Sequence, residues 1–216
     1  MSVPGPGRVP LRALRRAIRS RPAAEAGARC EMCAEPIDAA HGHVVDLHSR
    51  ALMCTCRPCY LLFTEEHASL RYRSVPDRYL SFGAGLDDAA WHELQIPVGL
   101  AFLFRNSARD RMIAFYPGPA GATESGLPLA DWDRIMDRHP GFGLLRPDVE
   151  ALLIRRDGPG TTGSCHLVPI DTCYALVGQL RTCWRGFDGG QEAHQVMDEF
   201  FAGVRTRSRP VPAVAT

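Results

Sequence analysis

An α+β fold is expected for this 216-residue chain: a small cysteine-rich module followed by a mixed domain of β-hairpins and helices. Three observations lead there. Five of the eight cysteines fall between Cys30 and Cys59, as a close pair and a close group of three. Beyond Leu86 the apolar runs come in pairs separated by polar turns, which is hairpin patterning rather than a repeated strand-helix-strand unit. The last third carries two stretches whose apolar residues recur at helical spacing.

Residues 1–29 are locally basic. Leu11, Leu14 and Ile18 lie on one helical face, with Arg12, Arg15, Arg16 and Arg19 largely on the other, so a short basic helix in a partly disordered segment is expected. A metal-binding module with four cysteine ligands is placed at 30–72. The segment 74–85 is broken by Pro76, Gly83 and Gly85 and reads as a connector. The α+β domain spans 86–205. It opens with a helix over Leu86–Leu94, then a hairpin of Ile96–Phe104 with Met112–Tyr116. A turn-rich loop follows from Tyr116, then a helix over Leu129–Arg138 and a strand pair Val149–Arg155 with Ser164–Val168. Two helices close it, Thr172–Arg185 after the N-cap candidate Asp171, and Glu192–Val204. Cys173, Leu176, Leu180 and Trp184 form the buried stripe of the first. Residues 206–216 are Pro-rich and read as a disordered tail.

Composition narrows the function classes. There are 25 basic and 24 acidic residues, every basic one is arginine, and the formal net charge is +1. That balance argues against a protein built mainly to hold phosphate backbones. The longest apolar run, Ile96–Phe104, has nine residues and contains Pro97, far short of the ~20 of a membrane span. No apolar segment of the kind a secretory signal needs follows the N-terminal arginines before Pro22. A soluble, cytoplasmic protein with reduced thiols is therefore expected.

The cysteines carry the chemistry. Cys30 and Cys33 form one CxxC pair and Cys56 and Cys59 another, with 22 residues between. A two-residue gap lets both sulfurs of a pair reach one ion, and two pairs complete a tetrahedron. Between them, His43–Leu47 and Ala51–Met53 read as a hairpin. Pro58 suits the first turn of a helix running on toward Leu70, which places Cys56 and Cys59 at a helix start, where thiolate is favoured. Knuckle, hairpin and ligand-bearing helix resemble the treble-clef class of zinc fingers. Cys54 is either a spare thiol or a substitute for Cys56. His41 and His43 are further candidate ligands, with surface turn residues as the competing reading. Zinc is the expected ion and iron the alternative. A rubredoxin-like iron site would want glycine-bearing knuckles on both sides, whereas Ala34 and Tyr60 follow the two pairs. Four thiolates leave zinc no open position, so the centre is structural and no catalytic residue is assigned.

Two further constellations compete for attention. The loop 116–125, with Thr123, Glu124 and Ser125, could present backbone N–H groups and hydroxyls to an anion or a peptide; the competing reading is a merely structural loop. His166, Asp171 and Cys173 are close in sequence, but a helix cap and small buried residues explain them better than a thiol protease does.

Cys30-Glu-Met-Cys33, Cys54-Thr-Cys56-Arg-Pro-Cys59, Val75-Pro-Asp-Arg-Tyr79, the 116–125 segment, Pro147-Asp-Val-Glu-Ala151 and Val168-Pro-Ile-Asp171 together resemble a family of uncharacterised, actinobacterial-type proteins. The likeness covers roughly residues 28–205. It implies a domain of unknown function encoded beside uptake nickel–iron hydrogenases, with hydrogenase subunits or maturation factors as partners, and supplies no activity. The expectation is a non-enzymatic zinc-binding accessory protein for maturation, assembly or regulation of such an enzyme. The alternatives are a thiol redox or iron-binding protein and a nucleic-acid-binding regulator.

Overall fold

The computed structural model describes residues 28–65, 70–83, 85–94, 96–118, 121–126, 129–156, 158, 163–186 and 189–211. The basic helix expected around Leu11, Leu14 and Ile18 lies outside them. Among the described residues no helix is long and apolar enough to cross a membrane.

Two sheets organise the chain, and the architecture is mixed α+β. The first has three strands in the order β2-β1-β3: β1 (Gly42–Asp46), β2 (Ala51–Thr55) and β3 (Tyr72–Ser74). Between β2 and β3 lies α1 (Arg57–Leu61). This helix is shorter than the sequence suggests. The Phe63 carbonyl accepts from the Ser74 backbone N–H at 3.0 Å and the Ser74 hydroxyl at 3.0 Å, so the chain is captured by β3 one turn after the helix begins.

The second sheet has seven strands in the order β10-β4-β9-β8-β5-β6-β7. In chain order these are β4 (Leu80–Phe82), β5 (Leu100–Asn106), β6 (Arg111–Gly118), β7 (Gly121–Gly126), β8 (Glu150–Arg155), β9 (Ser164–Pro169) and β10 (Arg209–Pro210). All neighbours are antiparallel except β10 on β4. Between these strands run α2 (Asp88–Glu93), α3 (Leu129–Arg138), α4 (Ile170–Cys183) and α5 (Gly190–Arg207). Strands β5, β8 and β9 are central and covered on both faces, hence their near-continuous apolar sequences. Their side chains alternate. Phe102, Ala151, Leu153 and Val168 join the stripes of α4 and α5, including Leu176, Leu180, Met197 and Phe201. Ala101, Leu103, Leu152 and Leu167 face Trp91 of α2, Trp132 and Ile135 of α3, and Phe142.

Three expectations change. The turn residues after Tyr116 do not make an open loop: Gly118 and Gly121 close a tight hairpin, and Ala122–Gly126 pair with β6 as an edge strand. Asp171 is not the cap of α4, because Pro169 holds that position and Asp171 lies in the first turn. Of the tail expected from 206, α5 takes the residues up to Arg207 and Arg209–Pro210 add a parallel strand to β4, while 212–216 lie outside the described residues.

The two sheets share one apolar cluster, to which Val45 of β1, Leu52 of β2 and the flanking Leu47 and Val75 belong together with the apolar stripes of α4 and α5. Polar bonds lock the same junction. Glu150, fully buried, takes Nε and Nη2 of Arg78 at 2.8 and 2.6 Å and the Arg146 backbone N–H at 2.9 Å. Tyr79 and Thr172 join hydroxyls at 2.7 Å. Removing one side of a buried charged pair strands the other, which typically costs about 3–5 kcal/mol. Glu150→Ala is therefore expected to lower the unfolding free energy in urea titrations by that order. A cost under ~1 kcal/mol would show that solvent reaches Arg78.

His166 on β9 is buried, with Nδ1 at 3.1 Å from the Ser208 hydroxyl and its ring edge-on to Phe201. Burial, reinforced by Arg205, holds its basicity below the ordinary imidazole value of 6.5. The unfolded chain thus binds this proton first as pH falls, so the stabilisation is present above pH 6.5 and is lost as pH falls through the folded value. His166→Gln should shrink the acid-side slope of unfolding free energy against pH by up to one proton. An unchanged slope would contradict the assignment.

Candidate metal centre

Local backbone geometry builds the first half of the centre. The Cys30 N–H donates to the Glu35 carbonyl and the Ala34 N–H to the Cys30 carbonyl, both at 2.8 Å, and Arg29 bridges Pro36. These bonds fold Cys30–Cys33 into a knuckle. Ala34 closes it at φ +64°, a left-handed position that glycine would occupy without steric cost.

Glu31 then carries the knuckle to the hairpin. Its N–H donates to the Cys54 carbonyl at 2.9 Å, and its carboxylate accepts the Cys54 N–H at 2.5 Å. The second pair sits where β2 gives way to α1: Cys56 is the N-cap residue, Pro58 lies in the first turn and Cys59 follows within the helix. Gly42 permits this approach, because a Cβ there would stand 2.6 Å from the Tyr60 ring.

One ligand atom from each of Cys30, Cys33, Cys56 and Cys59 lies within 4.8 Å of every other. The Cys33 and Cys56 sulfurs are 3.6 Å apart. A metal–sulfur bond of ~2.3 Å in a tetrahedron gives a sulfur–sulfur edge of about 3.8 Å, whereas a disulfide would need ~2.05 Å. The donor set therefore fits a single ion. Electrostatics differ across the set. Burial raises the Cys30 thiol, but the backbone N–H groups of Cys56, Cys33 and Met32 outweigh it and bring the group down to about 6. Neighbouring Cys33 and Cys56 instead push Cys59 up to about 12. Four thiolates this close repel one another, which a cation would relieve.

Cys54 is not part of this tetrad. Directly opposite His43 in the β1–β2 register, it groups with His41 and His43, one ligand atom from each lying within 4.8 Å of the others. Burial and then the Glu31 carboxylate raise its thiol. His43 is more than a surface turn residue: its Nδ1 is 2.8 Å from the Asp171 carboxylate at the start of α4. His41, His43 and Asp171 all line a cleft of about 1270 Å³ between the small sheet and α4 and α5, together with Tyr60, Tyr79 and Arg207. The Asp171 contact was not readable from the chain, since it joins residues far apart in sequence.

The remaining candidates separate. Thr123 and Glu124 stand exposed on β7, with Ser125 half-buried beside them, and Glu124 accepts from Arg111 at 3.1 Å and Arg109 at 3.5 Å. Cys173 is sealed in the core beneath α4, Asp171 faces the cleft, and His166 is tied to Ser208.

Residues 29–208 match the model of a family described only as of unknown function, DUF5947. No curated protein and no solved structure matches the chain.

Replacing Ala34 by glycine should relieve the left-handed strain at the knuckle, worth about 1–2 kcal/mol, against ~0.4–1 kcal/mol of added freedom in the unfolded chain. A net gain of up to ~1 kcal/mol is expected in thermal unfolding of the metal-loaded protein. A loss would show that the methyl group is itself packed.

Proposed function

We propose that this chain, which belongs to the DUF5947 family, is a zinc-binding accessory protein whose thiolate centre is structural and whose adjoining cleft receives a partner. The observation that carries this reading is the convergence of Cys30, Cys33, Cys56 and Cys59 on one point. Four protein sulfurs fill a tetrahedral shell and leave no place for water or substrate. A bound ion would supply charge neutralisation and a cross-link between two distant stretches, not a reaction.

The chain's residues supply the rest. Glu31 fixes the distance between knuckle and hairpin, the backbone N–H groups around Cys30 favour its thiolate, and Pro58 presets the helix start. Few side chains of the small sheet are buried, namely Val44, Val45, Asp46 and Thr55, so an ion would do much of the work a larger core does elsewhere. Structural zinc sites contribute on the order of 10–16 kcal/mol of apparent binding free energy at neutral pH. The order of knuckle, hairpin and ligand-bearing helix supports a treble-clef arrangement. Zinc is preferred to iron because the second pair is borne by a helix start rather than a second knuckle. Ala34 carries no weight in that choice, since it adopts the left-handed turn without being glycine.

The cleft lies between the small sheet and the α4 and α5 helices and supports a docking role. The partner in this reading is a nickel–iron hydrogenase subunit or maturation factor, on the strength of the sequence resemblance. Metal quantification on the purified protein should find at least one tightly held zinc, and Cys59→Ser should lose it together with the order of β1–β3, read by far-UV circular dichroism and proteolysis. Less than about half an equivalent of any metal, with the four thiols freely alkylated, would end the proposal. Affinity capture of hydrogenase components from native cells tests the partner separately.

A further inference from the structure

We infer that His41, His43 and Cys54 form a second transition-metal site, distinct from the four-thiolate centre and incompletely closed. One strand pair puts all three on a single face. His41 immediately precedes β1 and His43 lies within it, two residues on, a spacing at which extended chain puts side chains on the same side, and Cys54 is the cross-strand partner of His43. The imidazole rings stand 4.8 Å apart, and one ligand atom from each of the three residues lies within 4.8 Å of the others.

The hydrogen bonds prepare both rings in the same sense. His41 Nδ1 is 2.7 Å from the backbone carbonyl of Asp38, and His43 Nδ1 is 2.8 Å from the Asp171 carboxylate. A carbonyl and an ionised carboxylate can only accept, so Nδ1 carries the proton in each ring and Nε2 keeps its lone pair. That is the second-sphere arrangement of metal-bound histidines, in which a carbonyl or carboxylate fixes tautomer and ring orientation. His41 Nε2 is shut off from solvent and has no hydrogen-bond partner. A buried acceptor in that condition asks for a ligand. Cys54 is a free thiol and would release its proton as it bound.

Two nitrogens and one sulfur suit a borderline divalent ion such as Zn²⁺. Three protein donors leave the fourth position to water or to a donor from a molecule in the cleft, which His41 and His43 line. With fewer thiolates and an open position, this ion would exchange faster than one held by four sulfurs. Asp171 is then a positioning residue, reaching from α4 to orient a ligand on the small sheet.

The test uses the full chain saturated with Zn²⁺ and then offered a chromophoric chelator of moderate affinity. Two equivalents are expected, one released quickly and one retained until the thiols are modified. His41→Ala, His43→Gln and Cys54→Ser should each abolish the fast equivalent while the retained one and the circular dichroism spectrum stay unchanged. Asp171→Asn should weaken the fast site by about 10- to 100-fold without removing the thiol-dependent metal. In Co²⁺-loaded protein, Cys54→Ser should remove one thiolate charge-transfer contribution and leave the four-sulfur spectrum in place. A single equivalent in the parent protein and in all four variants overturns the inference, as does loss of the retained ion in Cys54→Ser. A missing retained equivalent beside an intact fast one would instead overturn the structural-zinc reading and leave this site standing.

Discussion

Four thiol groups packed within a few ångströms repel one another once ionised unless a positive charge sits among them. That constraint governs the small sheet and everything built on it. Among the described residues the knuckle is held by its own turn, the Arg29–Pro36 bridge and the Glu31 bonds to Cys54. Its sulfurs must meet those of the helix start if the hairpin is to be closed at that end. Once closed, β1 presents His41 and His43 toward α4 and supplies one wall of the cleft.

The opposite wall is formed by α4 and α5, which pack on the large sheet and obey a different rule. The seven-stranded sheet is an ordinary two-faced apolar core, stable by burial, and it meets the small sheet through a mixture of shared aliphatic packing and specific polar bonds. Arg78 with Glu150 is the clearest of these bonds. Both residues fall in segments through which the chain resembles its family, so those segments describe the junction between the sheets as much as any site. A buried bidentate pair fixes geometry more than it adds stability, and here it fixes how far the connector stands from the large sheet.

Much of this was legible in the sequence where periodicity or spacing carried the signal. The CxxC pairs, the hairpin between them, α3, and the α4 stripe of Cys173, Leu176 and Leu180 follow from local pattern. What escaped was nonlocal or hidden by composition. The glycines and prolines after Tyr116 suggested a loop because turn residues dominate the count, yet they only close a hairpin whose second strand holds Thr123, Glu124 and Ser125. Strand β3 and the early end of α1 depend on Phe63 meeting Ser74. Strand β10 is two residues long and gains its identity from pairing with β4. Cys54 looked like a spare member of the thiolate set because it is adjacent in sequence, whereas cross-strand register gives it to the histidines.

The parallel contact of Arg209–Pro210 with β4, and the guanidinium of Arg207 stacked 3.8 Å over the Tyr79 ring, link the last helix to the connector between the sheets. During synthesis the cysteine lobe leaves the ribosome long before residues 207–210 exist. It can acquire its ion while the junction is still unlatched and the histidine face lies open. An ion taken up at that stage would precede closure of the cleft, so the direction of translation would set the order of the two events.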